Sequence, residues 1–340
     1  MIARRPRALG VAVALVLAAC GRAGAPQGDA RSGDIRLGVL STRSEGATRD
    51  AWGPIVADVA DRTGLHVMLR IYPSDAAMIY AWKTRAVDVG VFSNLAALDL
   101  MRRGDAEVFA RTALAGDMTD RVSVLVASGK RSFTLNRVLA CKRNLSLAMG
   151  DRLSTGGALA PMTYLFAPRD IDPATCFKQV RIDTDPMSEL DAVDAGQLDL
   201  ALMSSTALAR GLQSREKAVK NIAVLWRSPP LPQDPVLWRR TLDPIAKEGL
   251  RQFFITYGQG AGDAATKARG RLARIDVGGF RPADESYLLP VREMEATMAW
   301  YAAKRTHDAP RIEEARASLD AISAQRFALE ARTRAPAAAQ

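Results

Sequence analysis

A chain of 340 residues, 48% of them hydrophobic and 25% charged, carries enough apolar material for one large or two medium cores, which excludes a disordered or fibrous protein. Its formal charge of +10 suits an anionic ligand or surface, but the lysines and arginines are scattered, without the basic blocks and interleaved aromatics of a nucleic-acid binder. The two histidines, His66 and His307, lie far apart and there is no Cys/His cluster, so no zinc centre is expected. The Gly258-Gln259-Gly260-Ala261-Gly262 stretch follows a helical pattern rather than a strand, so it stops a helix and does not bind a dinucleotide. With no set of nucleophile, base and metal, neither catalysis nor a cofactor is expected.

The chain opens with Arg4, Arg5 and Arg7, an apolar run over residues 9–17, and then Leu17-Ala18-Ala19-Cys20. This pattern is a secretory signal over residues 1–19, too short for a membrane span of about 20 apolar residues. Its end resembles the bacterial lipobox, which implies export, a lipid on Cys20 and anchoring at the periplasmic face of a bacterial membrane, with residues 20–33 as a flexible tether. Loss of residues 1–19 removes three arginines and no acid, so +10 falls to +7. Only Cys141 and Cys176 then remain, and an even pair in an oxidising compartment is expected to form a disulfide.

From residue 34 onward, strand and helix signals alternate. Strands are expected at residues 35–40, 65–72 and 87–92, each followed by a polar turn and an amphipathic helix. Such units imply an α/β fold, with ligand-binding turns at the carboxyl ends of the strands: Ser41 to Ser44, Pro73 to Asp75, and Phe92 to Asn94. Residues 121–128 alternate Val122, Val124 and Val126, and a second α/β unit follows, with strands at 145–149, 179–182, 198–203 and 222–226. The four prolines of Pro229-Pro230-Leu231-Pro232-Gln233-Asp234-Pro235 enforce an extended crossing. Crossings near residues 128 and 228 divide the chain into one lobe of residues 34–127 plus 229–310 and another of residues 128–228. A helix carrying Leu250, Phe253 and Phe254 rejoins the first lobe. Residues 311–340 form a final amphipathic helix and tail, which docks on a lobe or serves a partner.

One stretch stands out for chemistry: Gly150-Asp151-Arg152-Leu153-Ser154-Thr155-Gly156-Gly157, between an apolar strand and a helical pattern. A strand leading through glycines and hydroxyls into a helix start directs N–H and O–H groups at one point, a seat for a small oxyanion. The same residues are also what an ordinary helix N-cap requires. The disulfide would bracket this stretch and stiffen it.

The order of elements and the wording of several turns resemble the periplasmic phosphonate-binding proteins of ABC importers. The resemblance runs from Ile35-Arg36-Leu37-Gly38-Val39-Leu40-Ser41-Thr42 to Phe253-Phe254-Ile255-Thr256-Tyr257-Gly258, and is carried most strongly by Gly150-Asp151 with Ser154-Thr155 and by Pro232-Gln233-Asp234-Pro235. It implies a two-lobe type II binding protein, each lobe a mixed, mostly parallel sheet flanked by helices, joined by a two-stranded hinge. The lobes close on a phosphonate-like oxyanion and present it to the membrane permease subunits.

In the family a Ser-Thr-Ser turn holds the phosphonate, helped by tyrosines and a histidine, and two acids hold a substrate amine. By resemblance Ser154 and Thr155 keep two hydroxyls and Gly156 replaces the third. The tyrosine positions fall on Asp75 and Phe92, the histidine on Pro186, and one acid on Thr206, while Asp234 survives. Arg43, at the tip of the first strand, is a further candidate for the oxyanion. These replacements leave open a scaffold retuned to another small ligand, or a sensor or adhesion lipoprotein outside transport.

Overall fold

The computed structural model describes residues 33–41, 44–116, 120–183, 185–213 and 222–334. Cys20, Arg43 and the leader with its tether, apart from Gly33, lie outside the described residues. The chain divides into Met1–Gly33 and Asp34–Gln340, and the second unit holds both sheets.

The first sheet is built from β1 (Ile35–Leu40), β2 (Val67–Tyr72), β3 (Val89–Val91), β4 (Ala106–Leu114), β10 (Pro235–Arg239) and β11 (Val277–Pro282) in the order β11-β4-β10-β3-β1-β2. The second holds β5 (Ser123–Ser128), β6 (Ser146–Gly150), β7 (Gln179–Asp183), β8 (Leu200–Ser204) and β9 (Ile222–Arg227) in the order β7-β6-β8-β5-β9. The two share one plan. Three strands pair in parallel around the first of them, β2-β1-β3 and β7-β6-β8, and a strand arriving from the other lobe adds antiparallel beside the third. That incoming strand is β10 in the first sheet and β5 in the second, so each crossing ends in the middle of a sheet.

Two expectations change here. The first crossing comes before Ser123 rather than near 128, because β5 pairs with β8 and β9 and so belongs to the second sheet. Both sheets are mixed, but with more antiparallel pairing than the strand–helix repeats suggest, since β4, β10 and β11 all pair antiparallel. A strand that returns from another lobe is not bound by the right-handed crossover that keeps successive βα strands parallel.

The helices have local causes. In α1 (Glu45–Thr63), Ser44 caps the start, accepting from the Ala47 amide at 3.2 Å, and Gly64 ends it at φ 70°, donating its N–H to the Ala60 carbonyl. Trp52, Ile55, Val56 and Val59 form its buried face. With α8 (Pro244–Thr256) and α9 (Asp263–Arg274), this helix covers one face of the first sheet. The other face is covered by α2 (Asp75–Lys83), α3 (Asn94–Arg102) and α10 (Leu289–Lys304). The last helix, α11 (Ala309–Arg334), lies along α10, where Arg326 Nε and Ser323 Oγ both donate to Glu293 at 2.6 and 2.7 Å.

In the second lobe, α6 (Pro186–Asp194) and α7 (Ser205–Gln213) pack on one face of the sheet. The helical segment at residues 155–169 packs on the other, with the short helices α4 (Leu135–Leu139) and α5 (Pro173–Cys176). Cys141 and Cys176 are disulfide-bonded, 35 residues apart, around β6 and the segment at 155–169. A bridge closing a loop of that length is worth about 3–4 kcal/mol in the chain-entropy model.

Two features hold the crossings together. Arg121 and Leu231 form an isolated antiparallel bridge, the Leu231 amide donating to the Arg121 carbonyl at 2.7 Å. Ser123 and Ser228 are tied twice, since the Ser228 amide donates to the Ser123 carbonyl at 2.9 Å and the Ser123 amide to Ser228 Oγ at 2.8 Å.

Candidate functional site

The carboxyl ends of β1, β2 and β3 face the turn after β6 and the end of β8 across a cleft of about 760 Å³. Seven of the residues singled out from the sequence line it: Asp75, Phe92, Ser154, Thr155, Gly156, Thr206 and Asp234. Pro186 lines it too.

The turn after β6 is fixed from within. Asp151 Oδ1 accepts from the Leu153 amide at 2.9 Å, and Ser154 Oγ accepts from the Gly157 amide at 3.0 Å. The helical segment that follows starts with a wide turn, the Leu159 amide reaching the Ser154 carbonyl at 3.0 Å. The two hydroxyls therefore differ in kind. Ser154 is an N-cap, whereas Thr155, 3% exposed, keeps a buried Oγ1 with no hydrogen-bond partner among the described residues. A buried hydroxyl without a partner is costly, which makes Thr155 Oγ1 a candidate donor to a ligand.

Glycine at 156 and 157 follows from packing. A Cβ on Gly156 would come within 2.9 Å of Ser204 Cβ, and one on Gly157 within 3.0 Å of Gly150 backbone atoms. Ser123 Oγ donates to the Gly156 carbonyl, fastening the turn to β5. The space that a third hydroxyl would need is thus taken by Ser204, whose own Oγ lies 2.9 Å from Thr206 Oγ1.

The first lobe contributes helix starts. Ser74 caps α2 and Ser93 caps α3, accepting from the Ala77 and Ala96 amides at 3.2 and 3.4 Å. Asp75 is the first residue of α2, hydrogen-bonded to Ser93 and with a buried Oδ1 that has no partner. Burial pushes its carboxyl up to about 6; Ser93 works against this, and the charges of Asp234 and Asp151 add to it. Phe92, 1% exposed, packs edge-on against Trp82 at 5.4 Å, so it forms apolar wall and core rather than a polar contact.

Asp234 is engaged by Arg121, an ion pair that joins the two crossings. Nothing local to Arg121 in the sequence marks it, because its partner is 113 residues away. Its Nε is buried without a partner and it lines the cleft. In all, six carboxylates and three arginines line the cleft, so the positive charge of the whole chain is not concentrated there. Among the described residues no group of three or more His, Cys, Asp or Glu could hold a metal ion.

A family model described as "ABC transporter, phosphonate, periplasmic substrate-binding protein" matches residues 37–288. The chain belongs to this family. It is similar to the phosphonates-binding periplasmic protein of Escherichia coli (strain K12), with 29% identity over 261 residues, 76% of this chain and 75% of the relative. A crystal structure of a binding-protein component of the ABC phosphonate transporter from Pseudomonas aeruginosa superposes with a TM-score of 0.75 at 29% identity, covering 88% of this chain and 98% of that one. PhnD1 from Prochlorococcus marinus (MIT 9301), in complex with methylphosphonate, shares the fold at a TM-score of 0.67 and 14% identity, covering 78% and 98%. The architecture is that of a two-lobe, type II periplasmic binding protein.

Proposed function

We propose that the protein is the solute-binding component of an ABC importer, capturing a phosphonate or a related phosphorus oxyanion between its lobes and presenting the closed form to membrane permease subunits. Differential affinity of the ligand for the closed form drives the change. The observation that carries this reading is the buried, partnerless Thr155 hydroxyl in the interlobe cleft, on the turn that corresponds to the family's oxyanion seat. Ser154 shapes the seat, Thr155 and Arg121 donate to the ligand, and Asp75 and Asp234 form the acidic wall. The protein is exported and works without catalysis, held to the membrane by a lipid on Cys20. Among the described residues no helix is long and apolar enough to cross a membrane.

Calorimetric titration of the full chain with methylphosphonate, 2-aminoethylphosphonate, phosphite, phosphate and sulfate tests the ligand class. Saturable heat is expected with the phosphonates. No heat from any of them, in chain shown to be folded, contradicts the proposal. For the anchor, mass spectrometry of the membrane-extracted protein should find an acylated N-terminal Cys20, and an unmodified cysteine there refutes it.

A further inference from the structure

Among the described residues, three buried side-chain atoms that line the cleft have no hydrogen-bond partner: Thr155 Oγ1, Arg121 Nε and Asp75 Oδ1. The hydroxyl and the guanidinium N–H can donate to an oxyanion, but an ionised carboxylate only accepts. Asp75 stands at the end of β2, facing Ser93 of α3, Asp151 of the seat turn and Asp234 of the second crossing. The cation beside them, Arg121, is already paired with Asp234. An oxyanion held by Thr155 therefore shares the cleft with the Asp75 carboxylate, for which no ion pair forms among the described residues, and two such anions attract only with a proton between them.

We propose that Asp75 is the specificity-determining residue of the cleft: its Oδ1 accepts a hydrogen bond from a P–OH of the bound phosphonate, so the cleft takes oxyacids that keep one proton and rejects sulfonates, which keep none near neutral pH. The inference rests on the phosphonate reading of the site. It accounts for the acidic residue standing where the family has a phenol, because a tyrosine donates to any oxyanion whereas a carboxylate demands a donor in return. The proton is shared by the pair, so binding of a fully ionised phosphonate takes up one proton from solvent. The raised carboxyl of Asp75, near 6, makes that uptake accessible close to neutrality.

Methylphosphonate and methanesulfonate are tetrahedral anions of similar size that differ in whether they retain a proton. Calorimetric titration of the full chain with both, at about pH 7.5 and in buffers of different ionisation heat, tests the inference. Methylphosphonate should bind about tenfold or more tightly than the sulfonate, with proton uptake. In Asp75→Asn, whose amide can donate, the sulfonate should gain and the gap fall below about threefold. Lowering the pH to about 5.5 should narrow the gap in the unmutated chain, an arm that depends on no variant folding. Equal affinity for the two anions, or a gap unchanged by Asp75→Asn, overturns the role of Asp75 alone. Absence of heat with every phosphonate overturns the proposed function, and this inference with it.

Discussion

Arg210 Nε donates to Asp276 Oδ2 at 2.7 Å, tying α7 of the second lobe to the residue that precedes β11 in the first. Both side chains line the cleft. The lobes thus hold each other across the ligand space through an ion pair that needs no ligand. They also touch near the hinge, where Ala160 of the seat segment is buried in the cluster of α2, α3 and α10, with Leu159 and Tyr164 against it.

Arg210→Ala should shift the population toward the open form. A partly exposed pair of this kind is worth up to about 1 kcal/mol, so affinity should fall about two- to fivefold while the unfolding midpoint barely moves. Small-angle scattering of the unliganded chain should report an increased radius of gyration. An unchanged radius and affinity would show that the pair does not bias closure.

Thr155 and Ser154 should separate in their effects. Thr155→Val removes a hydroxyl that no protein group uses, so denaturant stability should be nearly unchanged, while the loss of a hydrogen bond to a charged ligand, about 1.5–3 kcal/mol, should weaken phosphonate binding about tenfold or more. Ser154→Ala removes the cap on the Gly157 amide and should cost about 1 kcal/mol of stability. If Thr155→Val binds as tightly as the unmutated chain, the hydroxyl is not a ligand contact.

Restoring the family's third hydroxyl by Gly156→Ser should fail. The new Cβ meets Ser204 at 2.9 Å, and overpacking of that kind costs about 1–3 kcal/mol. Adding Ser204→Gly removes the nearest contact and should recover part of the loss, read as the denaturant midpoint. Full stability of Gly156→Ser alone would mean that the turn is free to move away from β8.

Much of the first lobe's cleft side is legible because β1, β2 and β3 are each followed by a capping serine, a local signal: Ser44, Ser74 and Ser93. The strands that escape local reading are those whose pairing is decided elsewhere. β10 begins on Pro235 inside a proline-rich crossing, and β11 carries Gly278 and Gly279, so neither shows a strand's alternation. Val122, Val124 and Val126 announce a strand but not which sheet receives it, so the position of the first crossing is decided by the pairing of β5 with β8 and not by local sequence. In the site, the seat turn is visible in its glycines and hydroxyls. The Ser154 cap is local as well, whereas the burial of Thr155 without a partner among the described residues and the pairing of Arg121 with Asp234 are tertiary outcomes.

Asp75 should act against stability at neutral pH. Its carboxyl lies near 6 in the folded protein against an ordinary 3.8, so between those values the folded chain binds more protons than the unfolded one, and stability falls as pH rises through the window. The loss is complete above about pH 6 and absent below about 3.8. Asp75→Asn should therefore raise the thermal midpoint near pH 7.5, by about 1–3 kcal/mol in stability, and do nothing near pH 3.5. A variant no more stable than the unmutated chain at pH 7.5 would contradict the burial of an unpaired charge.

The most direct measurement is phosphorus-31 NMR of methylphosphonate titrated with the full chain. A bound resonance shifted from that of free ligand, saturating at one per chain and lost in Thr155→Val, is the predicted result. A methylphosphonate line that neither shifts nor broadens in the presence of folded protein would contradict the assignment of the cleft to phosphonates.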